Sequence, residues 1–451
     1  MTIRGKMAGL MVTAFAVGMF SAAASAKTCV WTGQGTPDPT AGNNLVWTDS
    51  GNWEDGNVPQ NGDTVVLVTK DAQMFRMNKS LTLENLYFTN TVGVTFNGKA
   101  QHVLTLTGAD SVIVCKHADG FNLLTPINVA AGAKLTLNPV SGSINLKEPA
   151  TFSGSGEIVK TGSSDYNVFM SSPGFSGTFT SREGAVKVMV ASTAPLGDGF
   201  CIAHFWGTGL DLRYETTISH DVYLHDCHIV GYRPVTLNGN VTFVSETADN
   251  KVMYLEGAYG AKYYSADSQP AFVVNGKLKC DSTKFTARPQ FYAYGSAATP
   301  LSNFSVTLNG GFEGWTRELG TTKKYAGDKV TIYLNTPFVT SNSSGILLYN
   351  TDRIVCGAKN VLQGKDVGFY TTSNIDNTDE VFDLNGYDQT IGFICGGYAD
   401  AKADQNHSIV TVTSDRPATL TFSQNVIGDN AYNIAEHKGS LRFRGRVSFN
   451  H

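Results

Sequence analysis

Val92-Gly93-Val94-Thr95-Phe96-Asn97-Gly98 and the Val103-Leu104-Thr105-Leu106-Thr107-Gly108 that follows it decide the fold class. Each is a short run in which apolar and polar residues alternate, and each ends at a glycine. Alternation of period two places one side of a strand on a core and the other in water. Asn-Gly and Ser-Gly are expected to supply corners of positive φ. The phrase recurs along the chain, as Leu81-Thr82-Leu83, Lys134-Leu135-Thr136-Leu137, Val235-Thr236-Leu237 before Asn238-Gly239, and Val306 to Leu308 before Asn309-Gly310. Amphipathic helical patterns are not evident. Asn-Gly between alternating runs is also a hairpin signal, so antiparallel β domains are the alternative. Close, repetitive spacing with no domain-sized break favours an all-β solenoid, in which each coil buries its inner side only against its neighbours.

One segment carries a family resemblance. Gly154-Ser155-Gly156-Glu157-Ile158-Val159-Lys160-Thr161-Gly162 is followed by Phe175-Ser176-Gly177-Thr178-Phe179, then Glu183-Gly184-Ala185-Val186-Lys187-Val188, then Ala194-Pro195-Leu196-Gly197. This unit resembles the autotransporter-associated β-strand repeat. Phe382-Asp383-Leu384-Asn385-Gly386-Tyr387-Asp388-Gln389-Thr390-Ile391-Gly392 resembles a phrase common in the same proteins. The resemblance implies a right-handed parallel β-helix of the pectin-lyase-like type on an exported, cell-surface protein. Two features depart from the family. Its passengers are cysteine-poor, whereas this chain has seven cysteines, and no run of amphipathic membrane strands follows before His451. The sequence reading leaves two options open, part of a longer passenger or a freestanding exported solenoid.

Composition agrees with a globular, exported chain. Charged residues are 16% of the 451, below the roughly 25% of an ordinary domain. With 41% hydrophobic residues, a sizeable core is available and disorder is excluded. A formal charge of −4 gives no basis for nucleic-acid binding. Arg4 and Lys6, the apolar run Met7 to Phe20, and Ala24-Ser25-Ala26 read as a signal peptide cleaved after Ala26. The organisation expected is therefore a signal peptide over 1–26, an N-terminal cap segment over 27–70 and a β-solenoid over 71–451, with no transmembrane segment in the mature chain. Trp31, Trp47 and Trp53 are read as the packed cap over the open end of the sheet stack. Export permits disulfides, but Cys29, Cys115, Cys201, Cys227, Cys280, Cys356 and Cys395 are odd in number and irregularly spaced. Isolated buried thiols are the simpler reading.

Chemistry-bearing motifs are sparse. Asn350-Thr351-Asp352 and Asn377-Thr378-Asp379 resemble one element of polygalacturonase-like hydrolases, but the other elements of those enzymes are missing. Inverting hydrolysis needs two carboxyl groups about 6.5–9.5 Å apart, which one triplet does not supply. They are read as solenoid corners. His220 and His225-Asp226-Cys227-His228 hold ligand types suited to zinc or copper, yet strand alternation splits them between two sides, so no metal site is assigned. Asp376, Asp379, Glu380, Asp383 and Asp388 are read as a solvated acidic loop. No catalytic residue and no cofactor is assigned. The aromatic crowding from Tyr254 to Tyr294 is the surface of most interest, with Tyr259, Tyr263, Tyr264, Tyr292 and Tyr294 as the candidates for stacking on sugar faces. A ladder of rings between coils is the competing reading. The function expected is a non-enzymatic surface or extracellular scaffold, adhesive or carbohydrate-binding. The alternative is a polysaccharide lyase or glycoside hydrolase on the same fold. Oligomeric state is not legible.

Overall fold

The alternating runs form three stacked parallel faces. The computed structural model describes residues 26–42, 44–69, 74–207, 209–245, 253–260, 262–263, 268–281, 289–314, 318–323, 325, 327–340, 346–349, 352–364, 367–371, 380–392, 394–398, 409–423 and 440–450. A coil in the middle of the stack runs Lys134–Pro139 on the first face, Ile144–Leu146 on the second and Phe152–Gly154 on the third. It then returns to the first face at Glu157–Lys160. Among the described residues the first face has 13 strands, from Thr28–Val30 to Phe338–Thr340, and the second has 15, from Leu45–Val46 to Ile394–Tyr398. The third is divided into sheets of 5 and 10 strands. Between them a single bridge, Ser192 to Thr216, spans the coil that contains Pro195, which lacks the N–H a ladder needs.

This is a parallel β-helix, and the alternative of antiparallel domains is not what the chain adopts. Among the described residues every strand ladder is parallel, and antiparallel contact is confined to the isolated bridges Trp31–Trp53 and Asp38–Asn44. No described helix is long and apolar enough to cross a membrane.

Inward residues form columns along the axis. Leu135, Ile158, Phe179, Ala203, Val222, Val241, Leu278, Phe312 and Phe338 are successive register partners, and all are buried. No single coil could remove its own residue of this column from water, so neighbouring coils stabilise one another. At the N-terminal end the core meets the three tryptophans, which are buried as expected. Trp47 is fully enclosed, with ring centroids 5.2 Å from Trp53 and 5.8 Å from Phe96. Trp31 adds contacts at 5.0 Å to Trp53 and 5.7 Å to Phe75. The indole N–H of Trp53 donates to the Trp47 carbonyl at 2.7 Å.

Three Asn-Gly pairs serve a different purpose from the positive-φ corner expected, which Asn385-Gly386 does form, at φ of 48° and 79°. Gly239, Gly276 and Gly310 do not have positive φ; they lie where successive coils nearly touch. A Cβ on Gly276 would sit 2.1 Å from the Gly239 carbonyl oxygen, and one on Gly310 would sit 2.2 Å from that of Gly276. The asparagines beside them stack into a ladder. Asn275 Nδ2 donates to Asn238 Oδ1 at 2.8 Å, Asn309 to Asn275 at 2.7 Å and Asn335 to Asn309 at 2.6 Å. A second ladder, Asn167 to Asn145 to Asn122, runs on the outer side of the second face. A parallel stack places identical amides one coil apart, where each donates to the next.

One inward position holds a charge. Lys160 pairs with Leu137 on one side and Ser181 on the other, and its side chain is 0% exposed. Its ammonium donates to the Gly162 carbonyl at 2.9 Å and to the Glu183 carbonyl. Burial lowers its pKa to about 8, with Asp165 and Glu183 opposing the shift. Between pH 8 and pH 10.5 the unfolded chain therefore holds a proton that the folded chain has released. Stability is expected to rise with pH through that window, by up to about 3 kcal/mol, and the cost of the buried charge is present in full below it. In Lys160→Met this rise should be absent. Urea titrations of both proteins across the window check it, and parallel curves would contradict the assignment.

The thiols follow the simpler reading. Cys29, Cys115, Cys201, Cys227, Cys280 and Cys356 are buried and form no disulfide. Burial pushes Cys201 and Cys227 up to about 12 and Cys29 to about 11, with nearby carboxylates adding to the shift. The side chain of Cys395 lies outside the described residues.

Candidate functional site

The aromatic crowding lies on adjoining strands of the second face. Met253–Ala258 and Pro289–Tyr294 pair in parallel, with Tyr254 opposite Gln290, Glu256 opposite Tyr292 and Ala258 opposite Tyr294. Leu255, Phe291 and Ala293 point into the core, so alternation turns Tyr254, Tyr292 and Tyr294 outward, where they are half-buried. The rings of Tyr254 and Tyr292 lie 5.5 Å apart, and Tyr292 meets Tyr294 edge-on at 5.6 Å. Burial and the Glu256 carboxylate push the Tyr254 phenol above its ordinary value, so it stays a neutral donor and acceptor near pH 7. The strip offers three phenols held by rigid strands, with an alanine opposite Tyr294.

The other candidates sit differently. Tyr263 is only 9% exposed and is enclosed by Tyr214 at 5.8 Å and Tyr232 at 5.5 Å. The Arg213 guanidinium lies over both Tyr232 and Tyr263, at 4.8 and 4.9 Å, and donates twice to Asp211 at 2.7 and 2.5 Å. This is a clasp that fastens the turn at Tyr263 to the preceding coils. Tyr259 packs against the core, and its amide donates to the Tyr294 carbonyl at 2.8 Å. Tyr264 lies outside the described residues. Of the five residues singled out, Tyr292 and Tyr294 are the two displayed outward, and Tyr254 joins them.

A second cluster, on the outer side of the first face, was missed in the sequence. His204 and Tyr223 are register partners and stack at 4.6 Å with planes 13° apart. Trp206 stacks on His225 at 3.7 Å and 9°, and the Arg182 guanidinium covers Trp206 at 4.0 Å. His204 Nδ1 and His225 Nε2 are 3.1 Å apart, with ring centroids at 5.3 Å. The nitrogens therefore point at one another, as in a hydrogen bond sharing one proton. Chelation would require their lone pairs to converge on a third point. Burial, His225 and Arg182 all lower the His204 pKa, which keeps that ring neutral at pH 7. With faces turned on one another, these rings form a ladder between coils. Period-two spacing of Ile202, His204 and Trp206 was visible; the register that sets them on Tyr223 and His225 was not.

The histidine–cysteine segment does not gather. His220 is buried, its Nδ1 3.1 Å from the Asp221 carbonyl oxygen. Cys227 is buried and donates to the Phe205 carbonyl at 3.0 Å, while His228 lies against Tyr254 at 6.4 Å. Among the described residues no group of three or more His, Cys, Asp or Glu could hold a metal ion.

The carboxylates of the other motifs fasten coils together. Asp352 accepts from Lys323 Nζ at 2.6 Å and from the Val330 amide at 2.7 Å. Asn350, Thr351 and Asn377 to Asp379 lie outside the described residues, as does Asp376. The solvated acidic loop expected around 376–388 is not what the described part forms. Glu380 and Asp383 are buried; Asp383 takes Arg353 and the Asn385 amide. Asp388 accepts from the Thr419 amide at 2.8 Å. Stacking brings Asp352, Asp383 and Asp388 to the backbone or cation of a neighbouring turn, a contact that linear sequence does not display. Comparison of the chain with protein-family models, with curated proteins and with solved structures finds no match.

Proposed function

We propose that the protein is an exported β-solenoid scaffold, at the cell surface or outside the cell, that binds extended carbohydrate along the tyrosine strip of its second face. The observation that carries this reading is the outward row of Tyr254, Tyr292 and Tyr294 on paired strands. Sugar rings present apolar C–H faces beside hydroxyl groups. Neutral phenols match both, with an apolar ring and a polar tip. Rigid strands fix the rings in advance, so little ordering entropy opposes binding. Repeated weak contacts along a polymer then sum by multivalency. The leader read at residues 1–26 supports export; residues 1–25 lie outside the described structure.

Retention on immobilised polysaccharides tests the proposal. Tyr292→Ala with Tyr294→Ala should weaken binding about tenfold, the scale of one or two lost aromatic contacts. Tyr333→Ala, an exposed ring on the third face, should leave retention unchanged. Equal retention by all three proteins, or none by the unaltered chain on any polysaccharide, would sink the strip as a binding surface.

A further inference from the structure

The first strand begins at a backbone nitrogen that already has a carboxylate. The Lys27 amide donates to Asp63 Oδ1 at 3.0 Å. Asp63 is 7% exposed, and its other oxygen accepts from the Gln60 amide at 2.8 Å and faces the Cys29 thiol at 3.7 Å. The Lys27 carbonyl accepts from the Thr64 amide at 2.8 Å, and Thr28, Cys29 and Val30 then pair with Thr64, Val65 and Val66. Lys27 is thus the residue at which the chain enters the first face. It is also the residue that follows Ala24-Ser25-Ala26, the small-residue segment where the leader is read to end. Ala26 and Lys27 are both exposed, so the bond between them is open to a peptidase.

We infer that cleavage of the Ala26–Lys27 bond converts this amide into an α-ammonium seated on Asp63, and that the resulting ion pair secures the tryptophan cap only in the processed chain. The inference rests on the export reading above. The reaction is a hydrolysis by a leader-removing peptidase. Water adds across the peptide bond, Ala26 leaves as a carboxylate and Lys27 keeps its nitrogen as an ammonium. Before cleavage the nitrogen carries one neutral N–H. Afterwards it carries three hydrogens and a full charge, at the same place in the strand. The bond from the amide to the carboxylate is already charge-assisted, and cleavage adds a positive charge on the donor, so the contact becomes an ion pair as well as a hydrogen bond. The receiving oxygen is largely out of water, so solvent screens the pair less than it would at an open surface. The Gln60 amide holds the carboxylate in place from its other oxygen. Processing would therefore strengthen the anchor of the edge strand that the three tryptophans pack beside.

The experiment compares the exported protein with a chain made without export that retains Met and Ala26 before Lys27, each with Asp63 and with Asp63→Asn. The first residue of the exported protein is read by N-terminal sequencing. Protection of the first strand is read by hydrogen exchange at Cys29 and Trp31, whose amides face the neighbouring strand. Lys27 should be the first residue, and the free amine should raise protection about threefold over the extended chain, the scale of one added charge–charge contact at a partly exposed site. That advantage should vanish in Asp63→Asn. A first residue other than Lys27 overturns the cleavage and the inference with it. A Lys27 start with equal protection in both chains overturns the ion pair and leaves export standing. Should Asp63→Asn fail to fold, the comparison of free and extended chains decides alone.

Discussion

Replacing Trp47 with alanine is expected to destabilise the N-terminal end of the helix by about 3–5 kcal/mol, the range for deleting a large buried aromatic. Trp47 is fully buried and touches Trp31, Trp53 and Phe96, with centroids at 6.5, 5.2 and 5.8 Å. Its loss leaves a cavity lined by rigid rings, which are poor at collapsing into it. Phe96 continues through Phe88, at 6.2 Å, to Phe121, at 4.8 Å, so the cavity lies at the head of an aromatic column that enters the core. A solenoid loses stability coil by coil, and the damage should concentrate at this end. Hydrogen exchange should therefore speed up in the strands Thr28–Val30, Thr64–Thr69 and Met74–Met77, with little change beyond Ile202–Phe205. Trp47→Phe should cost much less, on the order of 1–2 kcal/mol. The indole N–H of Trp47 has no hydrogen-bond partner, so its removal orphans nothing. Equal losses for Ala and Phe would mean that the cap does not depend on filling this volume.

The second large effect is expected at the Asn-Gly corners. Gly276→Ala should cost about 3 kcal/mol, because its methyl group would lie 2.1 Å from the Gly239 carbonyl oxygen, and that neighbour is backbone. No rotamer change relieves such a contact. The two coils would have to separate, which would also stretch the Asn275–Asn238 hydrogen bond beside it. Gly132→Ala is the informative comparison. Gly132 has φ of +77° but nothing within 4 Å of a new Cβ. Its substitution carries only the strain of a left-handed residue, about 1–2 kcal/mol. Denaturant midpoints of the two variants separate close approach from dihedral strain. If Gly132→Ala proved the more damaging, the corners would be governed by φ, as their sequence first suggests.

That contrast marks how far the sequence carries. Asn238-Gly239 and Asn309-Gly310 identify breaks between strands, and breaks are where they fall. Their neighbours in space are other corners, so a hairpin signal became a stack of glycines and amides. Alternation in Glu157-Ile158-Val159-Lys160 places Lys160 on the inward side, and burial of a lysine there follows directly. Of its two carbonyl partners, Gly162 is local, but Glu183 comes from the next turn of the chain and was not legible. The tyrosines show the same division. Alternation turns Tyr292 and Tyr294 outward together, but nothing in the sequence encloses Tyr263 between Tyr214, Tyr232 and Arg213.

The sequence by itself determined the alternating strands, the inward side of most of them and the places where the chain turns, because these are local properties set at spacings of one or two residues; the strand Glu380–Asp383, read as a solvated loop, was not among them. Tertiary structure decided which outward residues meet, because that depends on coil length, and coil length varies. Ile202 pairs with Asp221, a step of 221 − 202 = 19 residues, whereas Val241 pairs with Leu278, a step of 278 − 241 = 37. A parallel stack tolerates such insertions at its corners while preserving its inward columns. The columns could therefore be read in advance. The stack of Trp206 on His225, the clasp around Arg213 and the coupling of Asp352 to Lys323 exist only once the register is set.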